Sequence, residues 1–202
     1  NGTQSISATG PNAQVSSGNH WAIGVFRWDT VDSNKDSIWS FETNGSPKRD
    51  YAVSSGNASN SWPGELDLDN LSSDRVSTTI GDKQEWDLES LTRYQWHIVA
   101  VFFNKTGNQI GVRVDGSNAF TPVNDYDNSL QTNQKLQIMR NRASQKLEGK
   151  FAEFFVVADI PGTGGTDMST LEKAEGYLAH KWDLTSSLPG SHAYKTTAPT
   201  GS

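Results

Sequence analysis

Short runs in which apolar and polar residues alternate fill most of the chain, the period expected of strands with one face buried. The first is His20 to Trp28; after a polar turn comes Ser37 to Phe41, where Trp39 and Phe41 point one way and Ile38 and Ser40 the other. Arg49 to Val53, Glu65 to Asp69, Val76 to Ile80, His97 to Phe103, Gln109 to Asp115, Leu136 to Met139 and Lys150 to Val157 continue the series at the spacing of a sandwich. Ile110, Val112 and Val114 share a face that ends at Asp115-Gly116, a hairpin turn signal. The period changes once. Ser169-Thr-Leu-Glu172 reads as a capping box, and Leu171, Ala174 and Leu178 then recur at helical spacing, which predicts one late helix to about Trp182.

This pattern predicts an all-β fold, a two-sheet sandwich with one C-terminal helix, over residues 1–183. Residues 184–202, rich in Ser, Thr, Pro and Gly, read as a tail that packs on the domain or leaves it, with Leu188 and Tyr194 as the means of strapping back. The first twenty residues fit a swapped strand, a linker or a first strand equally.

A chain of 202 residues is long enough for one domain with a sizeable core. The net charge of -6 and the lack of a basic run argue against nucleic acid as a partner. No apolar stretch approaches the length of a membrane span, and the opening Asn1-Gly2-Thr3 suggests a fragment or processed form of something longer. With no Cys there is no disulfide, thiolate nucleophile or Cys-type zinc site, which fits a phage or bacterial product.

Tyr94-Gln-Trp-His-Ile-Val-Ala-Val-Phe-Phe103, followed by Gly107-Asn-Gln-Ile-Gly-Val-Arg-Val-Asp-Gly116, resembles the hairpin of laminin G-like, concanavalin A-like domains. Leu147 to Val157 resembles that family's closing strand, and Glu172-Lys-Ala-Glu-Gly-Tyr-Leu-Ala-His-Lys-Trp182 the helix that follows it in microbial and phage members. The resemblance is specific over residues 94–195 and at the level of fold before that. It implies an antiparallel jelly roll presenting loops for recognition or attachment. Its Gly-Tyr-Leu-Ala-His-Lys-Trp run is most similar to modules of tailed-phage structural proteins, marine ones in particular, and of secreted adhesins.

Three carboxylates at alternate positions, Glu65, Asp67 and Asp69, follow Trp62-Pro-Gly. The stretch is similar to the catalytic strand of family 16 glycoside hydrolases, which would make Glu65 the nucleophile, Asp67 its assistant and Asp69 the acid/base. Asp69 stands where that family has Glu, a methylene longer, and the later strands follow the laminin G-like pattern instead. The row also fits the solvated face of a half-buried strand, or a binding rim in which Trp62 and Tyr51 supply aromatic faces for a sugar.

Asp32, Asn34 and Asp36 alternate as in the first half of a calcium loop. Ser37 replaces the expected Gly and no Glu stands at the twelfth place, so a polar turn explains them too. His20, His97, His180 and His192 lack zinc spacing, and His97 and His180 read as packing or hydrogen-bonding residues. Trp21, Trp39, Trp86 and Trp96 fall on core or edge positions.

The sequence therefore points to a non-enzymatic attachment or structural module, on a virion or outside the cell, arrayed or oligomeric, with no required cofactor beyond a candidate calcium ion. Its partners would be glycans or neighbouring subunits, with no insertion in a membrane. A decoration or fibre domain making assembly contacts alone, and a glycosidase using Glu65 and Asp69, are the alternatives.

Overall fold

The computed structural model describes residues 6–9, 19–30, 36–43, 49–55, 65–68, 75–80, 82–87, 94–104, 109–118, 134–139, 148–157, 162 and 167–200. One sheet contains β1 (Ile6–Thr9), β3 (Asp36–Thr43), β4 (Arg49–Ser55), β5 (Glu65–Leu68) and β11 (Gln134–Ile138), in the order β1-β11-β3-β4-β5. A second contains β2 (Asn19–Thr30), β8 (His97–Asn104), β9 (Gln109–Val114), β10 (Ser117–Asn118) and β12 (Glu148–Val157), in the order β10-β9-β8-β2-β12. β6 (Arg75–Ile80) and β7 (Asp82–Asp87) pair with each other, and α1 spans Ser169–Lys181.

The second sheet is antiparallel throughout and both of its faces are covered near β2. Trp21, Ile23 and Val25 join Ile98, Ala100 and Phe102 of β8 in a core closed by Leu171, Leu178 and Ala179 of α1 and by Leu188 beyond it. The intervening residues of β2 face the other way, where Phe26 stacks on Trp39 of β3 at 5.5 Å between ring centroids. Phe154 of β12 meets the same indole at 5.3 Å, so Trp39 is where the two sheets touch. Gly24 is required under this cluster: a Cβ there would lie 2.4 Å from the Phe26 ring and 2.8 Å from the Glu153 carbonyl oxygen.

The hairpin predicted at Asp115-Gly116 forms with both residues at positive φ, 50° and 74°, as a type I′ turn requires. Asp115 ties this turn to β8: one carboxylate oxygen accepts from the Ile98 amide at 2.8 Å and the other pairs with His97 Nδ1 at 2.7 Å.

Two expectations change, the direction of β5 and the capping box, and one alternative left open is decided. β5 pairs parallel with β4, Glu65 opposite Ala52 and Asp67 opposite Ser54, so the first sheet is not wholly antiparallel. Ile6–Thr9 pairs with β11, so the first twenty residues include a sheet strand. Ser169 does not cap the helix; it is the first helical residue, and its amide is accepted by the Asp167 carboxylate at 2.8 Å. Glu172, the other half of the expected box, is then the fourth helical residue and not the third, out of register for the reciprocal bond, and it approaches Arg113 of β9 at 3.5 Å.

Candidate functional site

The acidic row is described only by its backbone. Glu65 and Asp67 open β5; Tyr51, in β4, stands one position out of phase with Ala52 and Ser54, their partners across the pair. Trp62, Asp69, Asp32 and Asn34 lie outside the described residues, and Asp36 is the first residue of β3. Among the described residues, no group of three or more His, Asp or Glu side chains gathers as a metal ligand set. No described helix is long and apolar enough to cross a membrane.

Where side chains are described, the exposed chemistry concentrates between the end of α1 and β12. Two aromatic residues are exposed there, Tyr177 at 43% and Trp182 at 40%. A β-bulge brings Glu153 to them. In β12, Phe151 pairs with Phe26 and Glu153 with Val25, leaving Ala152 as the extra residue. The bulge reverses the strand's phase and turns Glu153 to the face on which α1 lies.

Glu153 then receives three donors. Trp182 Nε1 donates to Oε2 at 2.9 Å, Lys181 Nζ reaches the same oxygen at 2.9 Å, and the Tyr177 hydroxyl donates to Oε1 at 3.3 Å. Lys181 also donates to the Tyr177 hydroxyl at 2.8 Å, and its ammonium lies 5.2 Å from the Tyr177 ring centroid and 5.8 Å from that of Trp182. Burial alone would raise the Glu153 carboxyl pKa; the hydrogen bonds from Lys181 and Trp182, with the Lys181 charge, outweigh that and leave it below its ordinary value. The hydrogen bond to Glu153 raises Lys181 above its own. The polar ends of both aromatic side chains are thus engaged at the carboxylate, and their rings are held in place.

The helix phase that buries Leu171 and Leu178 leaves Tyr177 and Lys181, four residues apart, on the outer side. That spacing was readable. Glu153 was missed, because a plain alternation through Lys150 to Val157 does not reveal a bulge.

A second cluster is buried and serves the architecture. Arg113 donates to Glu175 through Nε at 2.7 Å and Nη2 at 2.9 Å, and to the Gly116 carbonyl at 2.9 Å. His192 meets Glu175 at 3.1 Å, and His180 bonds the Tyr194 carbonyl at 2.9 Å. Lys195 donates to the carbonyls of Thr185, Ser186 and Leu188. These contacts pin the segment after α1 to the helix and to the hairpin, and so keep the helix end beside β12.

No family model matches the chain, and no curated protein matches it in sequence. Its fold is similar to that of several solved proteins. A heptameric SAP-like pentraxin from Limulus polyphemus aligns with TM-score 0.53 at 12% identity, over 76% of this chain and 69% of its own. A Trypanosoma rangeli sialidase aligns at 0.56 and 11% identity over 82% of this chain, which spans only 25% of the sialidase. A proposed carbohydrate-binding protein from Bacteroides ovatus gives 0.50 and 15%, over 76% of this chain and 40% of its own. At these identities fold is what is shared.

Proposed function

We propose that the chain is a non-enzymatic, jelly-roll attachment module that binds glycans, working on a cell or virion surface as part of a larger assembly. The observation that carries this reading is the aromatic pair Tyr177 and Trp182, both exposed and both braced by Glu153. Flat aromatic faces held rigidly at low entropic cost suit the apolar faces of sugar rings, and carboxylate and ammonium groups beside them suit hydroxyls. Fold neighbours that include a proposed carbohydrate-binding protein support the same class. In this reading Trp62, Tyr51 and the row Glu65, Asp67 and Asp69 form a further contact region, with calcium at Asp32, Asn34 and Asp36.

The test is a glycan array probed with wild type, Trp182→Ala and Trp62→Ala, with calcium and with chelator, followed by a reducing-end assay on each bound glycan. Binding lost in Trp182→Ala without sugar release supports the proposal. Release abolished by Glu65→Gln would make the chain an enzyme, and no binding at all would leave assembly contacts as its role.

A further inference from the structure

We infer that the Glu153–Tyr177–Lys181–Trp182 surface selects neutral saccharides over carboxylate-bearing ones, which rests on the glycan-binding reading and assigns its ligand class. The argument is one of charge already spent. Among the described residues, Lys181 is the cation bonded to Glu153, and it is committed: one N–H goes to Glu153 at 2.9 Å and another to the Tyr177 hydroxyl at 2.8 Å. Carboxylate and ammonium cancel, so the cluster carries no net charge to offer an anion.

Geometry adds to this. A uronic or sialic acid stacked on either ring would bring its carboxylate near Glu153, whose charge Lys181 already balances, so the one remaining Lys181 N–H would leave a single ammonium shared between two carboxylates. The chain's net charge of -6 disfavours an anion further. A neutral pyranose meets no such opposition. Its C–H face can lie on the exposed indole or phenol, one hydroxyl can donate to a carboxylate lone pair, and another can accept the remaining Lys181 N–H.

The bulge at Ala152 makes this selectivity a property of the tertiary structure. Glu153 reaches the helix side because the strand changes phase there, and it fixes both rings and neutralises the lysine at once.

The experiment titrates matched pairs against the full chain: galactose-ended oligosaccharides and their sialylated forms, and glucose oligomers and their glucuronate counterparts. Variants are Trp182→Ala, Trp182→Phe, which keeps a ring but removes the indole N–H, and Tyr177→Ala, each checked for native circular dichroism. The expected result is neutral members binding about tenfold tighter than carboxylated ones, because a second carboxylate at the cluster would have to share with Glu153 the one lysine that balances it. That binding should be lost in Trp182→Ala and partly kept in Trp182→Phe. Carboxylated members bound as tightly or more tightly, with loss in Trp182→Ala, would overturn the neutral-ligand inference and leave glycan binding standing. Binding indifferent to Trp182 and Tyr177 would overturn the inference and move glycan binding to another surface, and binding to neither set would overturn both.

Discussion

Arg113 and Glu175, from β9 and α1, form a two-point ion pair in the interior, with Nε and Nη2 of the guanidinium at 2.7 and 2.9 Å from the two carboxylate oxygens. Both side chains are almost wholly shielded from water, at 3% and 1% exposure. Removing one partner strands the other charge, so Arg113→Met or Glu175→Leu alone is expected to cost about 3–5 kcal/mol in urea denaturation. The double variant should be no less stable than either single one. Additive losses would mean that the two side chains act independently.

His192 is the third member of that cluster, and its protonation pattern follows from its neighbours. The Tyr194 amide donates to Nδ1 at 3.2 Å, so the ring carries its proton on Nε2 and donates it to Glu175 at 3.1 Å. Nitrogen-15 spectra of the imidazole should show a protonated Nε2 and a bare Nδ1. The opposite tautomer would require Nδ1 to face the Tyr194 amide with a hydrogen of its own.

The segment after α1 rests against a glycine. A Cβ at Gly176 would stand 2.3 Å from Tyr194 Cβ, whereas one at Gly190 would meet nothing within 4 Å. Gly176→Ala is therefore expected to destabilise by about 1–3 kcal/mol and to loosen the His180–Tyr194 contact, while Gly190→Ala stays within about 0.5 kcal/mol. Thermal melts of the two variants side by side decide it.

Glu153 and Lys181 set a pH window on the surface cluster. The folded pKa of Glu153 is depressed, so its contribution is present above its unfolded value and lost as pH falls through the folded one. That of Lys181 is raised, so its contribution is present below its unfolded value and lost as pH rises through the folded one. The Trp182 indole N–H resonance, assigned with Trp182→Phe, should hold its position across the neutral range and move at acid pH. In Glu153→Gln the acid step should vanish; its survival would place another carboxyl at the indole.

What the sequence determined by itself was everything set by local period and local turn chemistry. Trp21, Ile23 and Val25 alternate into one core, Leu171 and Leu178 recur at helical spacing, and Asp115-Gly116 closes a hairpin, because each depends on residues within a few positions. Only the tertiary structure decided which distant groups meet. The helix began at Ser169, whose amide donates to Asp167, so the expected box did not form, and β5 joined β4 in parallel because pairing direction is set by how the chain returns. Glu153 reached Trp182, 29 positions away, through one unpaired residue that reverses a strand's phase. Periodicity carries no record of such an insertion, since the extra residue is tolerated by the packing around it and not announced by its own chemistry.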